Sequence, residues 1–376
     1  MTSSVRTVVS GVASLFVCGF LPLMVLYWLF GLVVSGRGYL ADFHFAYYQA
    51  AEAIVAGENI YPTHGFIVRG DLELVIDYVY PPLIAIATIP LTLVPVGLAE
   101  VIFAGLLVVA VVVTLAVLGV RDWRCYGLAF TWPPVIDGVL TGNVTLFLGL
   151  AAALVWRFRN GGSVRAGTAL GISIATKIFL WPLTIWLAAT RRVAAAVWSV
   201  VIGAAVLLIT WGAIGFRGVV EYPDLVRRLG ERMEERSYTV YALGIDIGLA
   251  PGVARVLWLA VALTTLVSVV IVARRGDERR AFILALTAAI ACSPIVWLHY
   301  FALLLVVVAV AQPRIGLLWF MGFPMHVFVT TSVYNGSTFQ TTALLATAAF
   351  TVALALGPSS MRPRGLRVRS PAAARP

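Results

Sequence analysis

Uninterrupted apolar runs are the feature that most constrains how this chain can fold. A helix needs about 20 mostly apolar residues to cross the hydrocarbon core of a bilayer, within a range of about 17–25. Six runs have such a length: 11–35, 98–120, 193–214, 252–273, 315–332 and 340–357. Hydrophobic residues form 61% of the chain, whereas a soluble domain has about 45–50%. The sequence therefore predicts an all-α polytopic membrane protein and excludes a disordered, fibrous or disulfide-scaffold protein.

Shorter apolar runs fill much of the remaining chain. There are seven of them: 82–95, 125–136, 144–157, 166–176, 178–190, 279–293 and 300–312. Runs of this size form short or broken spans, re-entrant segments or interfacial helices, since irregular backbone at membrane depth must be buried or line a cavity. The first long run, 11–35, is expected to remain as a span, because it exceeds a signal-peptide core of about 7–15 residues.

The arginines predict the path through the membrane, because cytoplasmic loops carry an excess of Arg and Lys. Basic residues cluster at Arg121/Arg124, Arg157/Arg159/Arg165, Arg191/Arg192, Arg274/Arg275/Arg279/Arg280, Arg314 and the tail from Arg362 onward. All of them reach one face if 82–95 does not cross and if 166–176 and 178–190 are two short spans that meet outside at Lys177. This path has about twelve transmembrane helices with both termini inside. In the alternative path 82–95 crosses, which places Arg121 and Arg124 outside.

The same path leaves two long loops outside and one basic tail inside. The outer loops are 36–97 and 215–251, and the second contains a predicted helical stretch over 222–236. Residues 1–357 then form a single transmembrane domain, and the Pro/Arg/Ala-rich tail 358–376 is predicted to be disordered and cytoplasmic. No internal repeat is visible in the sequence, although inverted repeats are common in transporters.

Composition also narrows the functional classes. Only one of the 27 basic residues is a lysine, and a chain rich in Ala, Val and Arg is typical of a GC-rich bacterial genome. We therefore expect a bacterial plasma membrane and no nucleic-acid partner. The three cysteines are scattered without a Cys/His cluster, so no metal site is predicted. A P-loop, a Gly-rich nucleotide fingerprint and an Asp-x-Asp motif are all missing from the sequence, which argues against a nucleotide-sugar substrate.

Two ionisable residues stand between apolar runs. Lys177, the single lysine, separates 166–176 from 178–190, and His299 lies in the segment Ser-Pro-x-x-Trp-x-His-Tyr. Lys177 is either a snorkelling residue at a span end or a charge that faces a lipid phosphate. His299 is either a polar group that caps a helix end or a hydrogen-bond donor to the same phosphate. An ionisable group at membrane depth indicates function by default.

Acidic residues outside the apolar runs supply further candidates. Asp42 would cap a helix over 43–56 that ends at Gly57, since Asp is a favoured N-cap residue, or it would act as a functional carboxylate. The aromatic residues that follow Asp42 suit an interfacial helix or a sugar-binding wall equally well. Asp77, close to Tyr80, is a secondary acidic candidate. Asp137 is expected to cap a loop, with a place beside the site as the alternative.

Several segments together resemble glycosyltransferase family 87, a group of polyprenyl-phosphate-sugar-dependent enzymes of the GT-C superfamily. The pattern is D-F-x-x-x-Y-Y-x-A-A from Asp42, then Y-x-Y-P-P-L from Tyr78. Thr141-Gly142-Asn143-Val144 stands where the family often has Gly-Gln-x-x, and Asn143 departs from that Gln. Lys177-Ile178-Phe179-Leu180-Trp181-Pro182 and Ser293-Pro294-Ile295-Val296-Trp297-Leu298-His299-Tyr300 are similar to two further family segments.

The resemblance implies a GT-C-type bundle and transfer of a sugar, mannose before arabinofuranose, from a polyprenyl phosphate to a glycolipid or glycan acceptor. The transfer inverts the sugar, takes place on the outer face of the membrane and needs no cofactor. Asp42 would act as general base, and Lys177 and His299 would bind the phosphate. Weaker substrate-binding candidates are Tyr47, Tyr48, Asp77, Tyr80, Asn143, Trp297 and Tyr300. The alternatives from other classes are a lipid or sugar transporter or flippase, and a membrane scaffold.

Overall fold

The computed structural model describes residues 10–35, 40–61, 78–328 and 338–357, and every regular element in them is a helix. The first nine of 17 helices are α1 (Ser10–Val34), α2 (Asp42–Tyr48 continued by Gln49–Val55), α3 (Leu83–Thr88 continued by Ile89–Leu93), α4 (Val96–Val117), α5 (Trp123–Ala129), α6 (Pro133–Thr141), α7 (Thr145–Phe158), α8 (Ser163–Thr176) and α9 (Pro182–Ala189). The others are α10 (Val193–Ala213), α11 (Tyr222–Met233 continued by Glu234–Arg236), α12 (Val240–Asp246), α13 (Pro251–Arg274), α14 (Glu278–Ala291), α15 (Leu298–Ala302 continued by Leu303–Ala311), α16 (Leu317–Phe328) and α17 (Thr338–Ala355). The prediction of an all-α polytopic membrane protein is confirmed. The candidate Asp77 and the tail 358–376 lie outside the described residues.

Five helices are long and apolar enough to cross a membrane, namely α1, α4, α10, α13 and α17. Each follows one of the six long apolar runs to within three residues at either end. The sixth run, 315–332, forms α16 instead, a 3-10 helix with Pro324 inside it. Proline cannot donate a backbone hydrogen bond, and it interrupts regular α-helix here. The described residues thus contain five candidate spans, or six with α6 and α7 counted as one; the count of about twelve stays a prediction.

The chain reverses direction at Gly142, between α6 and α7. The two helices are bent by 120° across this break. Gly142 adopts φ +70°, a left-handed conformation that glycine accepts without strain. A Cβ there would lie 2.8 Å from Cβ of Phe43, so the glycine also lets the start of α2 approach the turn. Asn143 follows directly and therefore stands at the tip of a helical hairpin.

The chain reverses a second time at Lys177, because Arg192, after α9, returns to Arg159, before α8, and donates to its carbonyl; α8 also packs closely against α10. A Cβ on Gly171 would lie 2.8 Å from both the backbone nitrogen of Gly203 and the carbonyl oxygen of Ser199. Small residues at such a contact allow two membrane helices to pack backbone against backbone. The chain leaves α8 at Lys177 and returns through α9. Asn143 and Lys177 thus lie at the same end of the helices α7 and α8.

A group of paired charges lies at the opposite end of the same helices, and we call Arg159, Arg192 and Glu278 the charge clamp. Oε1 of Glu278 accepts a hydrogen bond from Arg159 Nε at 2.6 Å and forms an ion pair with Nη2 of Arg192 at 2.7 Å. The clamp ties the α7–α8, α9–α10 and α13–α14 connections together. The 14 residues of α7 span about 21 Å, which separates the clamp from Asn143.

Candidate active site

The site begins at α2, whose first turn carries Asp42. The helix starts one residue earlier than predicted and ends before Gly57, which has φ +75°. Ala41 is the N-cap residue, so Asp42 does not occupy the capping position that one interpretation assigned to it. The backbone N–H of Leu40 donates to the carbonyl of Leu140 at 2.6 Å, which fixes the start of α2 on the α6–α7 turn.

Asp42 and Asn143, 101 residues apart in sequence, form the central contact. Nδ2 of Asn143 donates to Oδ2 of Asp42 at 2.5 Å. The other end of the amide, Oδ1, accepts from the backbone N–H of Thr145 at 2.9 Å and from its hydroxyl at 2.6 Å. A backbone N–H can only donate, so the Thr145 contact fixes the orientation of the Asn143 amide. Although Asn143 replaces the glutamine expected from the family pattern, its NH2 group faces the carboxylate.

Two tyrosines extend this contact. The Tyr80 hydroxyl accepts a hydrogen bond from Nδ2 of Asn143 at 3.2 Å, and its ring meets the Tyr47 ring edge to face at 5.2 Å. Both side chains are buried. The Tyr47 hydroxyl is also buried and makes no hydrogen bond to a residue that the structure describes. The predicted candidates Tyr47 and Tyr80 therefore lie beside Asp42.

Lys177 reaches the same cluster from the α8–α9 reversal. Its Nζ lies 3.8 Å from the centre of the Tyr300 ring and 5.4 Å from the centre of the Tyr80 ring. The ring faces attract the ammonium group through cation–π contacts. Nζ is nevertheless buried without a hydrogen bond to any described residue. A snorkelling lysine would extend its charge into water, so the burial of Nζ argues against that interpretation.

His299 enters from the start of α15 and is held by Asp137 of α6. Oδ2 of Asp137 accepts from the His299 backbone N–H at 3.1 Å and lies 3.0 Å from Nδ1 of its ring. His299 is 4% exposed, and its second ring nitrogen, Nε2, is buried without a partner among the described residues. Asp137 was expected to cap a loop, with a place beside the site as the alternative. The structure shows the alternative, because Asp137 contacts His299.

Burial and the neighbouring charges act in opposite directions on Asp42. Burial raises the pKa of the Asp42 carboxyl, while His299, the Asn143 hydrogen bond and Lys177 lower it in part. Burial also lowers the pKa of Lys177 to about 7, against a smaller opposite effect of Asp42. The desolvation of both groups is the cause, since burial disfavours whichever form carries a charge. The site thus holds a carboxyl and an amine that both titrate closer to neutrality than usual.

Partnerless polar atoms are concentrated in this one place. Within the four described stretches of the chain, three buried side-chain nitrogen or oxygen atoms lack a hydrogen bond: Tyr47 Oη, Lys177 Nζ and His299 Nε2. Buried polar groups are nearly always satisfied in folded proteins, so each exception needs an explanation. Two of the three belong to residues that can carry a positive charge. An anionic ligand would satisfy them.

The remaining candidates are placed as follows. The Tyr48 hydroxyl donates to the carbonyl of Val94 at 3.4 Å, and no contact with Asp42 joins it to the cluster described above. Trp297 is half-buried two residues before His299, and its predicted role stays a prediction. Sequence reasoning underrated Asp137 and missed Thr145, because contacts between distant segments leave no local pattern.

In the part of the chain that the structure describes, no three His, Cys, Asp or Glu side chains come together as metal ligands would.

These observations define a polytopic helical membrane protein with a buried, cation-lined polar site. Residues 78–299 match glycosyltransferase family 87. The match covers more than half of the chain, so the protein belongs to that family and is a membrane glycosyltransferase. The matched region includes Tyr80, Asn143, Lys177 and His299, whereas Asp42 precedes it. No curated protein and no solved structure matches the chain. The transporter, flippase and scaffold alternatives are set aside by the family membership.

Proposed function

We propose that the protein transfers a sugar from a polyprenyl phosphate to the hydroxyl of a glycolipid or glycan acceptor, with inversion at the anomeric carbon. The observation that carries this proposal is the convergence of Lys177 Nζ and His299 Nε2, both buried without partners, around Asp42. Two potential cations need an anion, and a sugar phosphate supplies one. The adjacent carboxylate supplies a base for the acceptor hydroxyl.

The chemistry of the leaving group explains why the cations are needed. A polyprenyl phosphate sugar is a phosphodiester with one negative charge. Cleavage of the bond between the anomeric carbon and oxygen leaves a phosphate monoester, on which a second negative charge develops. Hydrogen-bond donors that are aimed at developing charge lower the barrier of such a step. Lys177 and His299 are the residues to which we assign this role.

Asp42 is the residue to which we assign proton removal. The acceptor hydroxyl attacks the anomeric carbon while its proton passes to the Asp42 carboxylate, a general-base step. The raised pKa of Asp42 makes this carboxylate a better proton acceptor than an exposed one. Asn143 donates to Oδ2, which leaves Oδ1 for the hydroxyl. Attack opposite the phosphate in a single displacement inverts the sugar. Tyr47, Tyr80, Tyr300 and Trp297 are proposed to shape the sugar pocket.

The proposed orientation places the site outside and the charge clamp inside the bacterial plasma membrane, in a GT-C-type bundle of about twelve spans formed by residues 1–357. Support comes from the contacts at the clamp, which group three arginine-rich connections at one end of the helices. Cytoplasmic loops carry the excess of arginine. The short helices α7, α8 and α9 would then cross between the two ends. Mannose is the preferred sugar on family resemblance.

Release of polyprenyl phosphate tests the proposal. Purified protein in nanodiscs is mixed with a polyprenyl phosphomannose and a glycolipid extract, and free polyprenyl phosphate is measured by mass spectrometry together with the mannosylated product. Wild-type protein should form both in equal amounts. The matched control is Asp42→Asn, which keeps the size of the side chain. Equal release by wild type and Asp42→Asn, or release without a glycosylated product, contradicts transfer by this site.

The orientation has its own test. In a background without cysteine, single cysteines are placed at Glu58, an exposed residue near the site end, and at Gly161, beside the clamp. A membrane-impermeant thiol reagent added to intact cells should label position 58 and not position 161. Labelling of position 161 from outside contradicts the proposed orientation, whatever the enzyme assay shows.

A further inference from the structure

The pair formed by Asp137 and His299 carries an inference that rests on the proposed function and deepens it. The geometry points to Asp137 as a positioning residue that keeps a proton on Nδ1 of His299 and lets His299 hold a second proton on Nε2 when a phosphate occupies the site. His299 would then bind the phosphate as an imidazolium.

The tautomer follows from one oxygen atom. Oδ2 of Asp137 lies 3.1 Å from the His299 backbone nitrogen and 3.0 Å from Nδ1 of the ring. A backbone N–H can only donate, so Oδ2 is a hydrogen-bond acceptor. An acceptor oxygen requires a proton on Nδ1, because two lone pairs cannot form a hydrogen bond. The orientation of the ring then follows from a double anchor, through the backbone and the side chain of the same residue.

The free end of the ring decides what His299 can do. With Nδ1 protonated, a neutral ring exposes a lone pair on Nε2, which would repel a phosphate oxygen. A second proton makes Nε2 a charged donor. Nε2 is buried and partnerless in the described residues, so it is available for a ligand. A charged donor matches a leaving group whose negative charge grows from one to two.

The surroundings of His299 contain charges of both signs. Asp137 contacts the ring directly, and Asp42 of α2 interacts with it electrostatically. The Tyr300 ring lies 5.0 Å from the His299 ring, and Nζ of Lys177 lies 3.8 Å from the centre of the Tyr300 ring. Asp42 must accept the proton of the acceptor hydroxyl, so Asp137 is the carboxylate whose charge remains throughout the reaction.

The chain offers a matched control in a second pair of the same kind. Nδ1 of His44 lies 2.6 Å from Oε1 of Glu100, which is buried at the start of α4. Glu100→Gln removes a buried carboxylate from a histidine that has no proposed role in the reaction. Asp137→Asn makes the same change at the site. Asparagine keeps an oxygen that can accept both N–H groups, so it removes the charge and retains the hydrogen bonds.

Nitrogen NMR of protein labelled with 15N-histidine tests the inference without an activity measurement. The His299 signals are identified by their loss in His299→Gln. Spectra are recorded at pH 7.5 before and after saturation with farnesyl phosphate. In wild type, Nδ1 should be protonated in both states and Nε2 protonated in the bound state. In Asp137→Asn, Nε2 should stay unprotonated in the bound state and the affinity for farnesyl phosphate should fall about 10-fold, the ratio expected for one charged hydrogen bond. Glu100→Gln should leave the His299 signals and the affinity unchanged.

The outcomes separate this inference from the proposed function. An unprotonated Nδ1 in the wild type overturns the positioning role of Asp137, even if the enzyme transfers sugar. A protonated Nε2 in phosphate-bound Asp137→Asn overturns the role of its charge. If wild-type protein binds no farnesyl phosphate, the proposed function and the second proton on Nε2 fail together. The wild-type spectra decide the tautomer even if Asp137→Asn cannot be purified.

Discussion

The two ends of α7 and α8 differ in whether their charged side chains have partners within the protein. At the charge clamp, Glu278 pairs with Arg159 and Arg192, and Arg192 also donates to the carbonyl of Arg159 at 2.9 Å. At the site end, Lys177 and His299 present buried nitrogen atoms that no described residue satisfies. The charges at the clamp are paired within the protein, whereas Lys177 and His299 have nitrogen atoms that are free to bind a ligand. A charge that is already paired stabilises the structure, and a buried charge without a partner is costly unless a substrate provides one.

The largest effect is expected at the carboxylate between the two cations. Asp42→Asn should lower the rate of transfer about 10²–10⁴-fold, the usual contribution of a general base. Asparagine can still accept the hydrogen bond of Asn143, so the protein should purify normally and bind the sugar phosphate. The measurement is the turnover number at saturating donor, with binding followed separately. Near-normal turnover would remove Asp42 from the chemistry and direct attention to Asp77.

Removal of the buried ammonium of Lys177 should weaken substrate binding and stabilise the protein without substrate. Lys177→Met keeps the length of the side chain and removes the buried ammonium. Affinity for the polyprenyl phosphate sugar should fall about 10- to 100-fold, because a charged hydrogen bond is worth about 1.5–3 kcal/mol. The apparent Tm without substrate should rise, since a buried partnerless group is lost. A fall in Tm with unchanged affinity would show that Lys177 belongs to the fold, like the arginines of the clamp.

The third prediction concerns pH. Burial lowers the pKa of Lys177 to about 7, so Lys177 loses its charge as the pH rises through that value. The KM for the sugar phosphate should therefore be low below pH 7 and rise toward pH 9. The rise should be at most about tenfold per pH unit, because a single group loses its proton. The donor is a phosphodiester and does not itself titrate in this range. In Lys177→Arg the side chain stays charged, and the rise of KM that depends on residue 177 should disappear. A rise of equal size in Lys177→Arg assigns it to another group.

The smallest effect on activity is expected at the clamp. Glu278→Gln removes the charge that two arginines share, and it should destabilise the protein by about 1–2 kcal/mol, because the partners are only partly exposed. Turnover and donor affinity at a permissive temperature should equal those of the wild type. Thermal unfolding followed by fluorescence gives the first quantity and the transfer assay gives the second. If Glu278→Gln impairs donor binding while Tm is unchanged, the clamp does not serve stability alone, and the distinction between the two ends is wrong.

Much of the candidate site was visible in the sequence, for a physical reason. A lysine or histidine among apolar residues is expensive to bury, so Lys177 and His299 stand out without any structure. The helix after Asp42 was also predictable to within about one residue, because Gly57 marks its end. The role of Asn143 could not be predicted from the sequence, since it depends on whether the nitrogen or the oxygen of its amide faces Asp42. Thr145 decides that orientation.

The sequence by itself determined that this is an all-helical membrane protein, that six of its apolar runs are long enough to span, and which few ionisable residues lie at the ends of apolar segments. These properties follow from hydrophobic length and from the cost of burying charge, which are local quantities. Only the tertiary structure decided that Asp42 meets Asn143, that Asp137 holds His299 and that Lys177 lies over Tyr300. Those contacts join residues far apart in the chain. They depend on the reversals at Gly142 and Lys177 and on close helix packing, which the order of residues along one segment does not specify.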